Sequence, residues 1–179
     1  TLPAITVTVN VAVNATSPQV NSVTVSGGGA TGATANDSTV IAPRPPALVS
    51  VVSRKLHNGV TYDLPIDIAQ PVTGAVTVEP RVGIGSHTLF FQFDLPVTSS
   101  AITATVTDNN SLPAGSAVAS KLSGGVLVSL TGVLDRKRIQ VNLSGLDNGG
   151  TATAALGFLV GDVNSSRNVD NSDVAGVKA

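Results

Sequence analysis

The segment GDVNSSRNVDNSD, residues 161–173, gathers oxygen-bearing side chains at near-alternate positions: Asp162, Asn164, Ser166, Asn168, Asp170 and Asp173. Counted from Asp162, these are positions 1, 3, 5, 7, 9 and 12, the ligand positions of a 12-residue calcium loop. Calcium is a hard cation that takes six to eight oxygens at about 2.3–2.6 Å. Asp162, Asn164 and Ser166 would supply side-chain oxygens and Asn168 its backbone carbonyl. Asp170 would bind directly or through water, and Asp173 would close the shell from the first turn of a helix. Val169, at position 8, is the apolar residue such a loop turns toward the core. Three carboxylates against Ca2+ leave one net negative charge, a reasonable balance for a stable site.

One position departs from the general pattern. Arg167 occupies position 6, where glycine usually makes the sharp turn, and a non-glycine residue at positive φ costs roughly 1 kcal/mol. The competing reading is a polar turn without an ion.

Other candidate chemistry is thinner. Glu79, in TVEPR, is the only glutamate of the chain. A glycosidase needs two carboxylates at a defined separation, and no spacing ties Glu79 to Asp63, Asp67 or Asp94; it reads as a strand-end residue near Arg81. His57 and His87 fall in turns or at strand starts, with no nucleophile elbow and no third histidine for zinc. There is no cysteine, hence no disulfide, thiolate metal site or cysteine nucleophile. Arg136-Lys137-Arg138 is the one basic cluster and reads as a solvated turn. Lys55, Lys121 and Lys137 are candidates for an intramolecular isopeptide bond to asparagine, though no spacing in the sequence calls for one. The five Asn-x-Ser/Thr triplets, starting at Asn14, Asn36, Asn109, Asn142 and Asn164, read as coincidence in a chain so rich in Ser and Thr. No catalytic residue is expected, so the chain is not read as an enzyme.

The elements that must hold these residues are strands. Charged residues make up only 12 % and apolar residues 42 %, which argues against a highly charged disordered chain. Aromatics are 3 %, with no Trp, so the core has to be built from Val, Leu, Ile and Ala. A net charge of −1 gives no attraction to nucleic acid or acidic lipid, and no run approaches the ~18 apolar residues of a membrane helix. The chain opens in TLPAITVTV, already strand-like; if the protein is secreted, this sequence is expected to be a mature or trimmed form.

Ile5 to Val13 alternates, with Ile5, Val7, Val9, Val11 and Val13 on one face; Val20 to Ser26 and STVIAP read as two further strands. APRPPA follows, and its prolines cannot continue a central strand, so 43–47 reads as a linker. Then come Leu48–Arg54, Val60–Asp67, Ala75–Glu79, His87–Asp94, Ala101–Thr107, Val126–Leu130, Arg138–Leu143 and Thr153–Val160. Turn chemistries such as HNG, DNNSLPAGS and LDRKR separate them. Short strands at this spacing predict an all-β chain whose 48–160 segment is a β-sandwich.

These stretches also carry resemblances. ITVTVNVAVNA and NSVTVSGGGATGATANDSTVI look like the closing strands of the immunoglobulin-like repeat of bacterial surface proteins, so residues 1–42 read as a partial, three-strand Ig-like segment. SRKLHNGVTYDLPID, VEPR and LGFLVGDVN resemble the Ig-like domain that precedes a dockerin-like ending in exported proteins. GDVN and the V-x-x-x-D closure, with Asp in place of Glu, are similar to the first repeat of a type I dockerin; Ser166 stands where that repeat usually has an acid. Residues 161–179 thus read as an EF-hand-type calcium loop and the start of a helix. A cohesin-gripping dockerin has two such repeats and this sequence holds one, so cohesin binding is not expected.

The resemblance implies an extracellular or cell-surface bacterial protein. The expected function is a non-catalytic, calcium-stabilised structural module in a surface layer or filament. Residues 1–42 would be donor strands pairing with copies of the same chain. The alternative is an accessory module of a secreted carbohydrate-active enzyme, glycan-binding or docking. Scarce aromatics speak against glycan binding, since Tyr62 is the only Tyr.

Overall fold

Asn58-Gly59 shows how local sequence shapes this chain. Both residues have positive φ, 49° and 78°, as a two-residue hairpin turn matched to strand twist requires. The turn joins β3 (Leu48–His57) to β4 (Val60–Ile66). The computed structural model describes residues 6–12, 15–83 and 86–177, with side chains described to 174. Its strands make the chain all-β, with one short helix, α1 (Asn171–Val177).

Two units are distinct, Thr1–Arg44 and Pro45–Ala179. The first holds one antiparallel hairpin, β1 (Gln19–Gly27) and β2 (Ala30–Thr39), turned at Gly28-Gly29, whose φ values are 63° and 75°. Every residue of both strands is exposed. Two expectations are corrected here. Residues 6–12 form no strand despite their alternation; Ile5 and Val13 lie outside the described residues. Periodicity states which face a strand would bury but supplies no hydrogen-bonded neighbour, and a strand needs one. The strand expected at STVIAP instead begins at Ala30 and ends at Thr39: ATGATAND pairs with β1 although glycine, alanine and aspartate are poor strand formers.

The second unit has a five-stranded sheet in the order β4-β3-β6-β9-β8 and a four-stranded sheet in the order β5-β11-β10-β7. The remaining strands are β5 (Thr77–Glu79), β6 (Ser86–Phe93), β7 (Thr103–Asp108), β8 (Ser116–Leu122), β9 (Gly125–Thr131), β10 (Arg138–Ser144) and β11 (Ala152–Phe158). Local pattern does not signal β8: Val118 and Leu122 are the large apolar residues of SAVASKL, too few to separate it from a loop. It pairs antiparallel with β9. All pairs in this unit are antiparallel except β5 with β11.

Period-two alternation sends Leu89, Phe91 and Phe93 of β6 and Val126, Val128 and Leu130 of β9 to one face. Ile139, Val141 and Leu143 of β10 and Leu156 and Phe158 of β11 do the same from the other sheet, and all join one core cluster. Burying each such side chain contributes about 1.5–3 kcal/mol. The proline-rich stretch ends inside this unit: Pro46 is buried, and Ala47 N–H donates to Asp94 Oδ1 at 2.8 Å.

Candidate metal centre

The loop at 162–173 is rooted in the four-stranded sheet. After β11 the chain runs on beside the end of β5: Leu159 N–H donates to Glu79 O at 3.3 Å and Gly161 N–H to Pro80 O at 3.0 Å. Val160 N–H is held by Asp135 Oδ1 at 2.9 Å. This delivers Asp162 to a fully buried position.

A buried carboxylate needs donors, and the loop backbone supplies them. Asp162 Oδ1 accepts Ser166 N–H at 2.9 Å and Oδ2 accepts Arg167 N–H at 2.8 Å. Asp173, also buried, braces the loop from its far end. Its Oδ1 accepts Val163 N–H (3.0 Å) and Asn164 N–H (3.3 Å), and its Oδ2 accepts Asp170 N–H (2.9 Å). Asp170 itself takes Ser172 N–H (2.8 Å) and Oγ–H (2.6 Å) on Oδ1, at the start of α1; these two bonds hold its carboxyl below the ordinary range. Arg167 adopts φ = 67°, the left-handed conformation that glycine normally provides at position 6. Its guanidinium is anchored by Ala75 O at 3.1 Å.

The oxygens at the first four ligand positions fall into two hydrogen-bonded pairs. Asp162 Oδ1 and Asn164 Oδ1 both accept the Ser166 N–H, each at 2.9 Å. Ser166 Oγ–H donates to Asn168 O at 3.1 Å, a bond that a calcium ion ligated by both oxygens would replace. An ionised carboxylate has about four acceptor sites, so one N–H on each Asp162 oxygen leaves capacity. The donor set therefore fits calcium in type and in order. The three carboxylates do not converge: among the described residues no three acidic or imidazole groups are placed to share an ion. Asp170 and Asp173 would have to redirect oxygens from Ser172 and the loop N–H groups to close a shell. Val169 is 54 % exposed, so the expected inward turn at position 8 is not made, though a methyl of Val169 lies 3.5 Å from where a Cβ on Gly161 would be.

Glu79 is the other buried carboxylate of note. It accepts Ser53 Oγ–H, Arg81 Nε–H (2.7 Å) and Arg81 Nη2–H (2.6 Å). The three acids weighed as its partners are engaged elsewhere: Asp63 by Arg54, Asp67 by Ala69 N–H and Asp94 by Ala47 N–H. His87 is buried and packs against Phe158 with the rings tilted 52° and their centroids 4.1 Å apart, and its Nδ1 has no hydrogen-bond partner. Burial first, then the Lys55 charge, depress its pKa to about 4. His57 is exposed at the end of β3, next to the Asn58-Gly59 turn. Lys55 Nζ donates to Val82 O and Ser86 O, and Lys121 Nζ to Thr98 O; neither is bonded to an asparagine.

Sequence reasoning missed Ser53, and it missed that Arg81 also reaches the Ser53 and Tyr62 carbonyls. Strand pairing brings these groups together from distant segments, and no short-range spacing signals it. Compared with protein-family models, curated proteins and solved structures, the chain matches none.

Proposed function

We propose that this chain is a non-catalytic structural module of the bacterial cell exterior. In this reading the second unit is an immunoglobulin-like β-sandwich, its C-terminal edge is clamped by a calcium loop, and the N-terminal strands join copies of the chain. The observation that carries the reading is buried Asp162. It leaves β11 with no linker and holds the N–H groups of Ser166 and Arg167, so an ion bound there would brace the sheet edge. Two largely antiparallel sheets over one core support the sandwich. The engagement of Glu79 by Arg81 and Ser53 supports a non-catalytic role.

An ion that binds only the folded state stabilises it by RT ln(1 + [L]/Kd). Calcium is expected to raise the melting temperature and a chelator to lower it, with calcium found in the protein by elemental analysis. Identical melts together with no bound metal would overturn the clamp.

The association rests on the β1–β2 hairpin. A two-stranded hairpin is marginal by itself, and Val20, Val23 and Val25 are 60, 62 and 67 % exposed. Open strand edges pair with other chains, and a head-to-tail contact that does not close propagates into a fibre. The glycan-binding alternative has little to stand on. Phe91, Phe93 and Phe158 are in the core, and the Arg54 guanidinium lies 4.7 Å from the Phe90 ring centre. Tyr62 is left as the open ring, 54 % exposed.

A further inference from the structure

We propose that the cavity lined by Arg136, Lys137, Arg138 and Arg167 is a docking site for a short acidic peptide segment, one or two carboxylate side chains flanked by aliphatic ones. The cavity measures ≈ 280 Å³, and its apolar lining comprises Val76, Val78, Gly157, Phe158 and Leu159. Four of the ten Lys and Arg residues of the chain therefore surround one aliphatic hollow. Among the described residues none of the four has a carboxylate within salt-bridge distance. Arg54 and Arg81 by contrast pair with Asp63 and Glu79; around the cavity Arg138 donates to the Thr73 and Gly74 carbonyls and Arg167 to that of Ala75, bonds that leave their positive charge unneutralised, and Lys137 acts at longer range on Asp108. Asp135, the acid next to the cluster, commits Oδ1 to Val160 N–H.

Backbone conformation adds a separate observation. Arg136 and Arg167 both have positive φ, 59° and 67°. Glycine takes this conformation without steric cost; of the six non-glycine residues at positive φ among the described residues, these two are the only arginines, and both line this cavity. Strain that persists at a binding surface points to a role for the side chain.

The chemistry selects the occupant. Guanidinium groups bind carboxylates through paired, charge-assisted hydrogen bonds. The lining is largely aliphatic, and its one ring, Phe158, is buried, so there is no open platform for a sugar ring. A bare inorganic anion would leave the valines uncovered. The volume falls just under the ~300–1,000 Å³ of small-molecule pockets, which suits a few side chains of an extended segment. Gly157 keeps the floor open: a Cβ there would contact Val76 at 3.5 Å. This inference does not rest on strand donation, and because Arg167 belongs to the 162–173 loop binding is measured in chelator as well as in calcium.

The test is fluorescence polarisation on the full chain with a fluorescein-labelled valine–glutamate–valine–glutamate–valine peptide. Saturable binding is expected, weakening as salt rises. Two variants attack the site by different routes: Arg136→Gly removes a charge at a position that favours glycine, and Gly157→Val fills the floor. Each is expected to weaken binding about tenfold or more, the scale of one lost charge-assisted hydrogen bond, with Arg136→Gly leaving the melting temperature undiminished. Absence of saturable binding, equal binding of the peptide with both glutamates changed to glutamine, or full binding by Arg136→Gly would overturn the proposal. So would oligogalacturonate binding more tightly than the peptide, which would make the site one for acidic sugars.

Discussion

Arg81 grips Glu79 from two residues away, with Nε 2.7 Å from Oε1 and Nη2 2.6 Å from Oε2. Pro80 separates them, and Arg81 N–H adds a third bond to Oε1 at 3.0 Å. The only glutamate of the chain is thus fully buried and fully occupied. Burial alone would raise its pKa, but the bonds from Arg81 and Ser53 outweigh that and set it below the ordinary value. Removing one partner of a buried pair leaves an uncompensated charge and costs about 3–5 kcal/mol. Arg81→Met is expected to lose stability on that scale by urea melts at neutral pH. Glu79 stabilises the fold above its unfolded pKa of 4.5, and this contribution fades as pH falls through the lower folded value. A loss below about 1 kcal/mol would show that the pair is not closed in solution.

His87 predicts a separate acid response at higher pH. Its folded pKa of about 4 lies below the ordinary imidazole value of 6.5, so between these the unfolded chain binds the extra proton. Stability is then complete above about 6.5 and declines as pH falls toward 4. The charged and titratable groups acting on the ring are Lys55 on β3, Glu79 on β5 and Arg81. His87→Leu is expected to flatten the slope of stability against pH in this window while leaving the Glu79-dependent fall below it. An unchanged slope would place the ring in water.

Asp162 is expected to matter even without an ion. Asp162→Ala strips the acceptor from Arg167 N–H, while Ser166 N–H keeps Asn164 Oδ1. This bond is only partly shielded from water, so its loss is expected toward the lower end of the about 1–3 kcal/mol cost of an unpaired buried donor. Hydrogen exchange in chelator should therefore accelerate at Arg167 more than at Ser166. Equal acceleration at both would show that the loop is not organised around Asp162.

The N-terminal unit should be dispensable for folding but not for association. A chain of residues 45–179 is expected to melt at the same temperature as the full chain and to scatter light as a monomer at every concentration. The full chain should grow in size with concentration. A full chain that stays monomeric while its β1–β2 amides resist exchange would remove the strand-donation reading.

Much of this molecule was legible before any coordinates. Alternation at Leu48–Arg54, His87–Asp94 and Arg138–Leu143 located β3, β6 and β10 to within a few residues, because a half-buried strand must repeat every two residues. Asn58-Gly59 announced its turn by composition alone. The calcium-type spacing of 162–173 is likewise a property of the sequence. What local pattern cannot carry is a partner. Residues 6–12 alternate as well as any strand and have none, while the weak pattern of SAVASKL becomes β8 because β9 lies beside it. Ser53 meets Glu79, and Arg167 joins Arg136–Arg138 around one cavity, through contacts between distant segments. Sequence fixes which faces are apolar and which turns are allowed; tertiary packing decides which faces and charges meet, because that depends on strand order across two sheets and not on neighbours along the chain.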